Sequence, residues 1–260
     1  MRNVGTVVRG IRTPIIKEGD DLANIVVDSL MKAQETEGFK FRNRDIVAIT
    51  EAVVGISEGN YVSVDDIAKD VSRKFPSKEI GLVFPILSRN RFSMILKGIA
   101  RGMDKITIQL SFPADEVGNG ILDEKKLDNS PFTLDSVISE KEYMEYFGDF
   151  IHPFTGINMV EFYRNLVKSE DCEVEFIFAN DPKKILDFQK DVLCCDIHTR
   201  FKTKRAIEDK SRGNVLGLHE IMNESIDGSG FNPEYGLLGS NKSTEERLKL
   251  FPKTGDALVK

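Results

Sequence analysis

The chain has 260 residues, of which 40% are hydrophobic and 30% charged, and its formal net charge is −6 at pH 7. This composition suits a globular protein with ample apolar material for a core. The negative charge and the lack of a known binding motif argue against a nucleic-acid partner. No apolar run approaches the roughly 20 residues that span a bilayer, and the first residues lack a signal-peptide core. Three cysteines cannot form an even set of disulfides, so we expect a reduced, cytoplasmic protein with no membrane partner.

The N-terminal segment predicts a strand, a loop and a helix. Apolar positions alternate over residues 1–12, which predicts the strand. In the loop that follows, Asp20 or Asp21 can cap the next helix, because an acidic side chain suits a helix N-terminus. Apolar residues then recur near every 3.6 positions over residues 22–37, which predicts the helix, and Gly38 ends it.

The rest of the chain continues this alternation. The further predicted strands cover residues 44–55 (with a turn), 79–87, 105–112, 172–179 and 192–195. The further predicted helices cover residues 64–75, 92–103, 139–147, 156–170, 183–192 and 243–252. This order indicates an α/β fold, or an α+β mixture, with a mixed sheet flanked by helices. We expect one domain over residues 1–260, with a smaller subdomain around residues 122–180 as the alternative, and the uncapped C-terminal end suggests a fragment of a longer chain.

Carboxylates follow two of the predicted strands at the points where they end. Asp115 and Glu116 come after residues 105–112, and their oxygens suit a divalent cation. A polar turn is the plain structural alternative for this pair. Asp196 directly follows the apolar run 192–195, where a carboxylate is costly unless it has a partner or a metal.

Cationic side chains stand beside these carboxylates in the sequence. The run 198–205 follows Asp196, and Arg200 forms either a structural ion pair with it or a phosphate contact beside a metal-bound Asp196. Arg89 and Arg91 end another apolar strand and suit a phosphate or carboxylate, unless they are solvated surface. Ligands of open α/β sheets bind outside the carboxyl ends of the strands, so this edge is where an anion site is expected.

The common signatures of nucleotide and nucleophile sites are missing. The sequence has no P-loop, no GxGxxG and no Ser-His-Asp order. Residues 228–241 are rich in glycine and predict either a long surface loop or a mobile loop over a ligand. Carboxylates and cations without an obvious nucleophile favour chemistry that a metal and a phosphoryl group perform together.

Several stretches resemble a known enzyme family. PIIKEGDDLANIVVDSL and RDIVAITEAVVGISEGN resemble the opening of the gamma-glutamyl ligases that add glutamate to the deazaflavin coenzyme F-420. In that family a GDDL-type loop precedes the first helix, and a strand then leads to a turn ending in Glu-Gly. Three later stretches, SFPADEVGN, FANDP and CCDIHTRF, resemble its Asp-Glu-Ser-Asn loop, its Glu-Asp-Pro turn and its Ser-Asp-Thr-Phe-Gly-Arg segment, in the same order.

The resemblance implies a fold, a reaction and partners. The family has an α/β fold and forms an intertwined homodimer. Its enzymes use GTP with Mg(II) or Mn(II) to convert a terminal carboxylate of the acceptor into an acyl phosphate. The amine of L-glutamate then attacks this intermediate and forms an amide. For this chain, the implied acceptor is coenzyme F-420-0 or a related, folate-like carboxylate.

The resemblance also implies site residues. The catalytic residues would be Asp196 and Arg200. The nucleotide would be bound by Glu18, Gly19, Asp20, Glu58, Arg89, Arg91, His198 and Thr199. The metal ligands would be Asp115, Glu116 and Asp196.

The sequence departs from the family pattern at two points. The family usually has lysines just before its Glu-Gly, whereas this chain reads EAVVGISEGN, with Glu51 and Val54 at such positions. The run HTRFKTKR also lacks the glycine of the corresponding family segment. These departures leave a second hypothesis open, namely an anion- or nucleotide-binding protein that keeps the ligase fold without turnover.

Overall fold

A computed structural model describes residue 3 and residues 5–253. Its strands are β1 (Tyr61–Ser63), β2 (Glu79–Val83), β3 (Lys105–Leu110), β4 (Ile138–Ser139), β5 (Glu173–Phe178), β6 (Val192–Cys194), β7 (Val215–Gly217), β8 (Asn241–Thr244) and β9 (Arg247–Lys249). Its α-helices are α1 (Leu22–Glu37), α2 (Glu51–Ser57), α3 (Val64–Lys74), α4 (Phe92–Gly102), α5 (Glu124–Asp128), α6 (Glu140–Phe147), α7 (Met159–Lys168) and α8 (Arg200–Glu208). Two 3₁₀ helices cover Pro182–Asp187 and Leu218–Glu220. The mixed α/β class predicted from the sequence is confirmed.

The larger sheet has six strands in the order β4-β5-β3-β2-β6-β7. The pairs β5–β3, β3–β2, β2–β6 and β6–β7 are all parallel, and only the edge strand β4 runs antiparallel. The chain moves outward from β2 through β3 to β5, then returns to β6 on the other side of β2. The direction of winding therefore reverses between β2 and β6, and a crevice at the carboxyl ends of these two strands is the usual ligand site of such a sheet.

Apolar side chains pack on both faces of this sheet. One core joins α3, α4 and α7 to the sheet, and its centre includes Ile67 and Ile99, which are fully buried. Gly98 lets α3 and α4 approach closely, because a Cβ added there would lie 2.7 Å from the Cβ of Ile67. A smaller core on the other face includes Ile185 and Ile207, which belong to the first 3₁₀ helix and to α8.

The smaller sheet is antiparallel, with β9 between β1 and β8. Asn60, which is fully buried, ties this sheet to two other segments. Its Nδ2 donates to the carbonyls of Phe231 at 2.9 Å and Phe251 at 2.6 Å, and its Oδ1 accepts from the amide of Phe231. The glycine-rich residues 228–241 pack here in part: Leu237 is fully buried, whereas Gly228 and residues 233–235 are exposed.

Capping and periodicity predicted several helices correctly. Asp21 caps α1 by accepting a hydrogen bond from the amide of Asn24, and Gly38 ends the helix in the left-handed conformation. Ser63 and Ser139 each form a capping box, at the starts of α3 and α6. The segment after Pro182 is helical, as predicted, but as a 3₁₀ helix that ends at Asp187.

Three predicted elements are wrong. Residues 5–12 of the first predicted strand form no strand, because no described strand of the chain pairs with them, and residues 1, 2 and 4 lie outside the described residues. Residues 44–50 are irregular and exposed, and α2 begins at Glu51, whose charge suits a helix N-terminus. The helix predicted over residues 243–252 is instead the β8–β9 hairpin, since β9 pairs with β1.

The middle of the chain contributes to the larger sheet. Residues 122–180 include β5, which pairs with β3, and β4, which pairs with β5. The choice between one domain and a main domain with a subdomain there stays a prediction. None of the helices in the described part of the chain combines the length and the apolar character that crossing a membrane requires.

Candidate functional site

The loops after β2, β3 and β6 meet at the crevice between β2 and β6. Asp115, in the loop after β3, connects that loop to the one after β2. Its carboxylate accepts hydrogen bonds from the amides of Leu87 at 2.9 Å, Val117 at 3.1 Å and Asn119 at 2.8 Å, and from the side-chain amide of Asn119 at 2.8 Å. Asp115 therefore holds the loops after β2 and β3 together, and its assignment as a metal ligand stays a prediction.

Glu116 connects the loop after β3 to the loop after β6. Its carboxylate accepts hydrogen bonds from the amides of Ile197 at 2.5 Å and His198 at 3.1 Å. These two residues directly follow Asp196. The neighbouring carboxylates Asp115 and Glu116 thus fix loops on opposite sides of the crevice, one after β2 and the other after β6.

Asp196 is 1% exposed and lies just beyond the end of β6. Its Oδ2 accepts hydrogen bonds from the hydroxyls of Thr199 at 2.5 Å and Thr203 at 2.7 Å. Its Oδ1 is buried and has no hydrogen-bond partner among the described residues. Burial raises the pKa of Asp196, the two threonine hydroxyls oppose this, and the nearby Glu116 carboxylate raises the pKa further. This carboxylate is therefore incompletely stabilised by the chain itself.

Arg200 does not form the predicted structural ion pair with Asp196 within the described residues. Its guanidinium donates to the carbonyl of Ile197 and lies 4.5 Å from the ring centre of Phe201. Its Nε is buried without an acceptor among the described residues. Two ionic atoms, the Oδ1 of Asp196 just after β6 and the Nε of Arg200 at the start of α8, thus lack hydrogen-bond partners among the described residues.

His219 was not predicted as a site residue, because a lone histidine in the sequence carries no pattern. It follows β7, beside β6, and its ring lies 5.2 Å from that of Phe201. Burial lowers the pKa of His219, the Glu220 carboxylate opposes this, and the cations Arg200 and Lys204 lower it further. The His219 ring therefore lies beside the cationic start of α8, close to Arg200 and Phe201.

The remaining predicted residues of this edge differ in their surroundings. The hydroxyl of Thr199 donates a hydrogen bond to the Asp196 carboxylate. The backbone amide of His198 donates one to the Glu116 carboxylate, and the His198 side chain is exposed. Arg89 and Arg91 are exposed in the loop after β2. The Nε of Arg91 donates to the side-chain oxygen of Asn241 at 3.2 Å, which connects this loop to the smaller sheet.

The residues predicted for the nucleotide loop form a second cluster beside the smaller sheet. The amide of Gly19 donates to the carbonyl of Ser57 at 2.9 Å, which docks the loop on the end of α2. Glu18 lies against Gly59 and 3.8 Å from Arg247.

Two further residues complete the description of this cluster. The carboxylate of Glu58 accepts from the amide of Lys253 at 2.6 Å, and that of Asp20 from the amide of Lys17 at 2.7 Å. The predicted site residues thus fall into two clusters, connected through the contact between Arg91 and Asn241.

The carboxylate oxygens at the crevice are of the type that binds a hard divalent cation. The partnerless Oδ1 of Asp196 and the adjacent Glu116 carboxylate are the oxygen donors that Mg(II) and Mn(II) take. No group of three or more His, Cys, Asp or Glu in the described part of the chain is arranged to hold a metal ion. Two surface cavities, of about 360 and 300 Å³, lie elsewhere, beside β4 and beside α5–α6.

Comparison with known proteins identifies the family. A family model described as F420-0:gamma-glutamyl ligase matches residues 10–260. Neither a curated protein nor a solved structure shows significant similarity to the chain. The match includes both clusters and nearly all of the fold, which agrees with the resemblance in the sequence. The chain belongs to the F420-0:gamma-glutamyl ligase family.

Proposed function

We propose that this protein is a GTP-dependent ligase that forms an amide between the amine of L-glutamate and a carboxylate of an acceptor. The acceptor is coenzyme F-420-0 or a related, folate-like carboxylate. The observation that carries the proposal is the buried Asp196, whose Oδ1 lacks a partner at the crevice between β2 and β6. A buried carboxylate oxygen without a partner is costly, so a ligand of the crevice is the expected source of its stabilisation.

The reaction proceeds in two steps. A carboxylate oxygen of the acceptor attacks the γ-phosphorus of GTP, the bond to the β-phosphate oxygen breaks, and GDP leaves. The amine of L-glutamate, once deprotonated, attacks the acyl carbon of the resulting acyl phosphate. The carbon–oxygen bond to phosphate breaks, which releases inorganic phosphate, and the nitrogen loses its second proton as the amide forms. Both steps concentrate negative charge, so the site must supply cations.

The crevice residues have distinct roles in this proposal. Asp196 would hold Mg(II) or Mn(II) together with Glu116, and the bound metal would neutralise charge on the phosphates. Asp115 contributes chiefly by holding the loops, since its carboxylate already accepts four hydrogen bonds. Arg200 would orient a phosphate or substrate carboxylate with its Nε, and Thr199 keeps the Asp196 carboxylate in position.

The nucleotide would extend from the crevice toward the second cluster. Arg89, Arg91 and the exposed His198 would face its phosphates at the crevice, whereas Glu18, Gly19, Asp20 and Glu58 would form the loop beside the smaller sheet. The hydrogen bond between Arg91 and Asn241 supports this arrangement, because it brings the loop after β2 against that sheet.

The N-terminal segment supports a homodimer as part of the proposal. Val8 and Ile46 are 89% and 91% exposed, and α1 fully buries only Leu22. The sequence pattern of residues 1–12 suits a strand, yet residues 5–12 pair with none of the described strands of their own chain. A second copy of the chain would supply both the strand partner and the apolar cover. The proposed location of this dimer is the cytoplasm.

An acceptor screen tests the ligase proposal. GDP release is measured with GTP, Mg(II) or Mn(II) and L-glutamate, in the presence of F-420-0, a folate-type carboxylate or no acceptor. The ligase predicts release that depends on both acceptor and L-glutamate. The competing hypothesis of a binding protein without turnover predicts metal-dependent GTP binding with no release under any combination.

A further inference from the structure

We propose that one face of the smaller sheet is an anion-binding subsite, in which Lys249 and Arg247 hold a phosphate or carboxylate group. Neither residue is among those that the sequence assigned to the nucleotide. The identity of the substrate that carries the anion rests on the proposed function. The binding of an anion does not, because it follows from the side chains of the sheet itself.

The strand register places the cations on one face. Lys249 lies in the central strand β9, opposite Tyr61 of β1 and Asn241 of β8. Residues directly opposite on antiparallel strands share a face, as do residues two apart along a strand. Arg247 is therefore on the same face, and its guanidinium lies 4.2 Å from the ring centre of Tyr61. Arg91 reaches the edge of this face through Asn241.

Lys249 is the observation that points to a ligand. The residue is 6% exposed, and its ammonium is buried with no hydrogen bond to any described residue. Among the described residues its ion-pair partner is Glu51, whose carboxylate lies 3.8 Å away and is itself half exposed. Burial lowers the pKa of Lys249, and Glu51 opposes this. An ammonium has three donors to satisfy, so the site lacks an acceptor that an anion would provide.

The carboxylates nearby hold these cations only loosely. Glu18 approaches Arg247 at 3.8 Å, the same separation as between Glu51 and Lys249. Neither contact is a hydrogen bond, and the guanidinium of Arg247 makes no hydrogen bond with the described residues. A phosphate or carboxylate could replace these partners and accept hydrogen bonds from both cations, and a charge-assisted hydrogen bond is the stronger form of such a contact.

The structural alternative is that Lys249 only fills space in the sheet. Its stem does pack, since a Cβ added at Gly55 would lie 3.7 Å from its Cδ. An apolar side chain would fill the same space without the cost of a buried ammonium. On this alternative, Lys249→Met affects neither phosphate nor carboxylate binding.

Calorimetric titration of the full chain tests the proposal. The probes are inorganic triphosphate and, separately, L-glutamate, at fixed ionic strength and without acceptor. Lys249→Met is expected to weaken the binding of one probe roughly tenfold, the effect of one charge-assisted hydrogen bond. The matched control is Lys242→Met, because Lys242 lies on the other face of the same sheet and its ammonium already bonds Glu245. The control is expected to bind both probes as the wild type does.

Each outcome of this titration decides the proposal. A loss confined to triphosphate identifies a phosphate subsite, and a loss confined to L-glutamate identifies a carboxylate subsite; both support the proposal. Unchanged affinity of Lys249→Met for both probes, or no binding of either probe by the wild type, overturns it. Arg247→Gln replaces Lys249→Met as the test variant if the latter fails to fold. The titration measures binding and not ligase activity, so a failure of the anion subsite can be told apart from a failure of the proposed function.

Discussion

The substitution Asp196→Asn tests whether the carboxylate of this residue serves ligand binding or the stability of the fold. The substitution keeps the side-chain shape and an oxygen that can accept from Thr199 and Thr203, but it removes the buried charge. If the crevice binds a metal and a nucleotide, this carboxylate lowers the stability of the free protein and is retained for ligand binding. Asp196→Asn should then be folded and at least as stable as the wild type, yet inactive.

The size of the effect follows from the partnerless Oδ1 of Asp196. Leaving a buried acceptor without a partner costs about 1–3 kcal/mol, and the new amide of Asn recovers only part of this. We expect a gain of about 1 kcal/mol at pH 7, or about 2 °C in Tm for a chain of this length. If Asp196 were half of a buried ion pair, the same change would instead cost about 3–5 kcal/mol.

The direction of the pH dependence distinguishes the stability of Asp196→Asn from that of the wild type. The pKa of Asp196 is raised in the folded protein, so the folded state binds its proton more tightly than the unfolded state. The contribution of this group to stability is present below its unfolded pKa of about 3.9 and is lost as the pH rises through the folded pKa. Asp196→Asn lacks this loss, so its Tm advantage should appear above pH 4 and grow toward neutral pH.

Thermal unfolding of both proteins between pH 4 and pH 7, with no metal present, measures this difference. Adding Mn(II) should raise the Tm of the wild type and not that of Asp196→Asn, since a ligand stabilises only the form that binds it. A variant that is several kcal/mol less stable at every pH would refute the reasoning. So would an equal response of both proteins to Mn(II).

Three further predictions follow from other contacts. Glu116→Gln changes an acceptor of two backbone amides that is also one of the two carboxylates proposed to hold the metal, so Mn(II) affinity measured by calorimetry should fall roughly tenfold; an unchanged affinity would remove Glu116 from the metal set. Asn60→Ala removes three hydrogen bonds from a buried side chain, and chemical denaturation should show a loss of about 3 kcal/mol; a loss below about 1 kcal/mol would contradict its role in joining the segments. The double variant Val8→Glu, Ile46→Glu places charges on the exposed N-terminal segment, so light scattering should report a monomer where the wild type is a dimer; a monomeric wild type would contradict the dimer.

Local signals in the sequence predicted the elements that local physics determines. Asp21 and Gly38 bound α1 as predicted, because capping requires only neighbouring residues. The strand ends at Asp115 and Asp196 were also recognised, since an apolar run followed by a carboxylate is visible in the sequence. Their convergence on one edge follows from the parallel pairing of β2, β3 and β6.

Non-local pairing explains what the sequence did not reveal. The residues of β9 fit an amphipathic helix as well as a strand, and only pairing with β1 decides between them. Lys249 looks like an exposed polar position in such a helix, whereas the sheet buries it. His219 gains its setting from Phe201, which is distant in sequence. The partnerless Oδ1 of Asp196 is likewise a property of the packed crevice and has no sequence signal.

Isotope transfer tests the central claim most directly. The acceptor carboxylate is labelled with oxygen-18, and the reaction is run with GTP, a divalent metal and L-glutamate. Formation of an acyl phosphate on the acceptor predicts that the released inorganic phosphate carries one labelled oxygen and that the acceptor gains the mass of one glutamate residue. Unlabelled phosphate, or phosphate release without the heavier product, would contradict a ligase that works through an acyl phosphate.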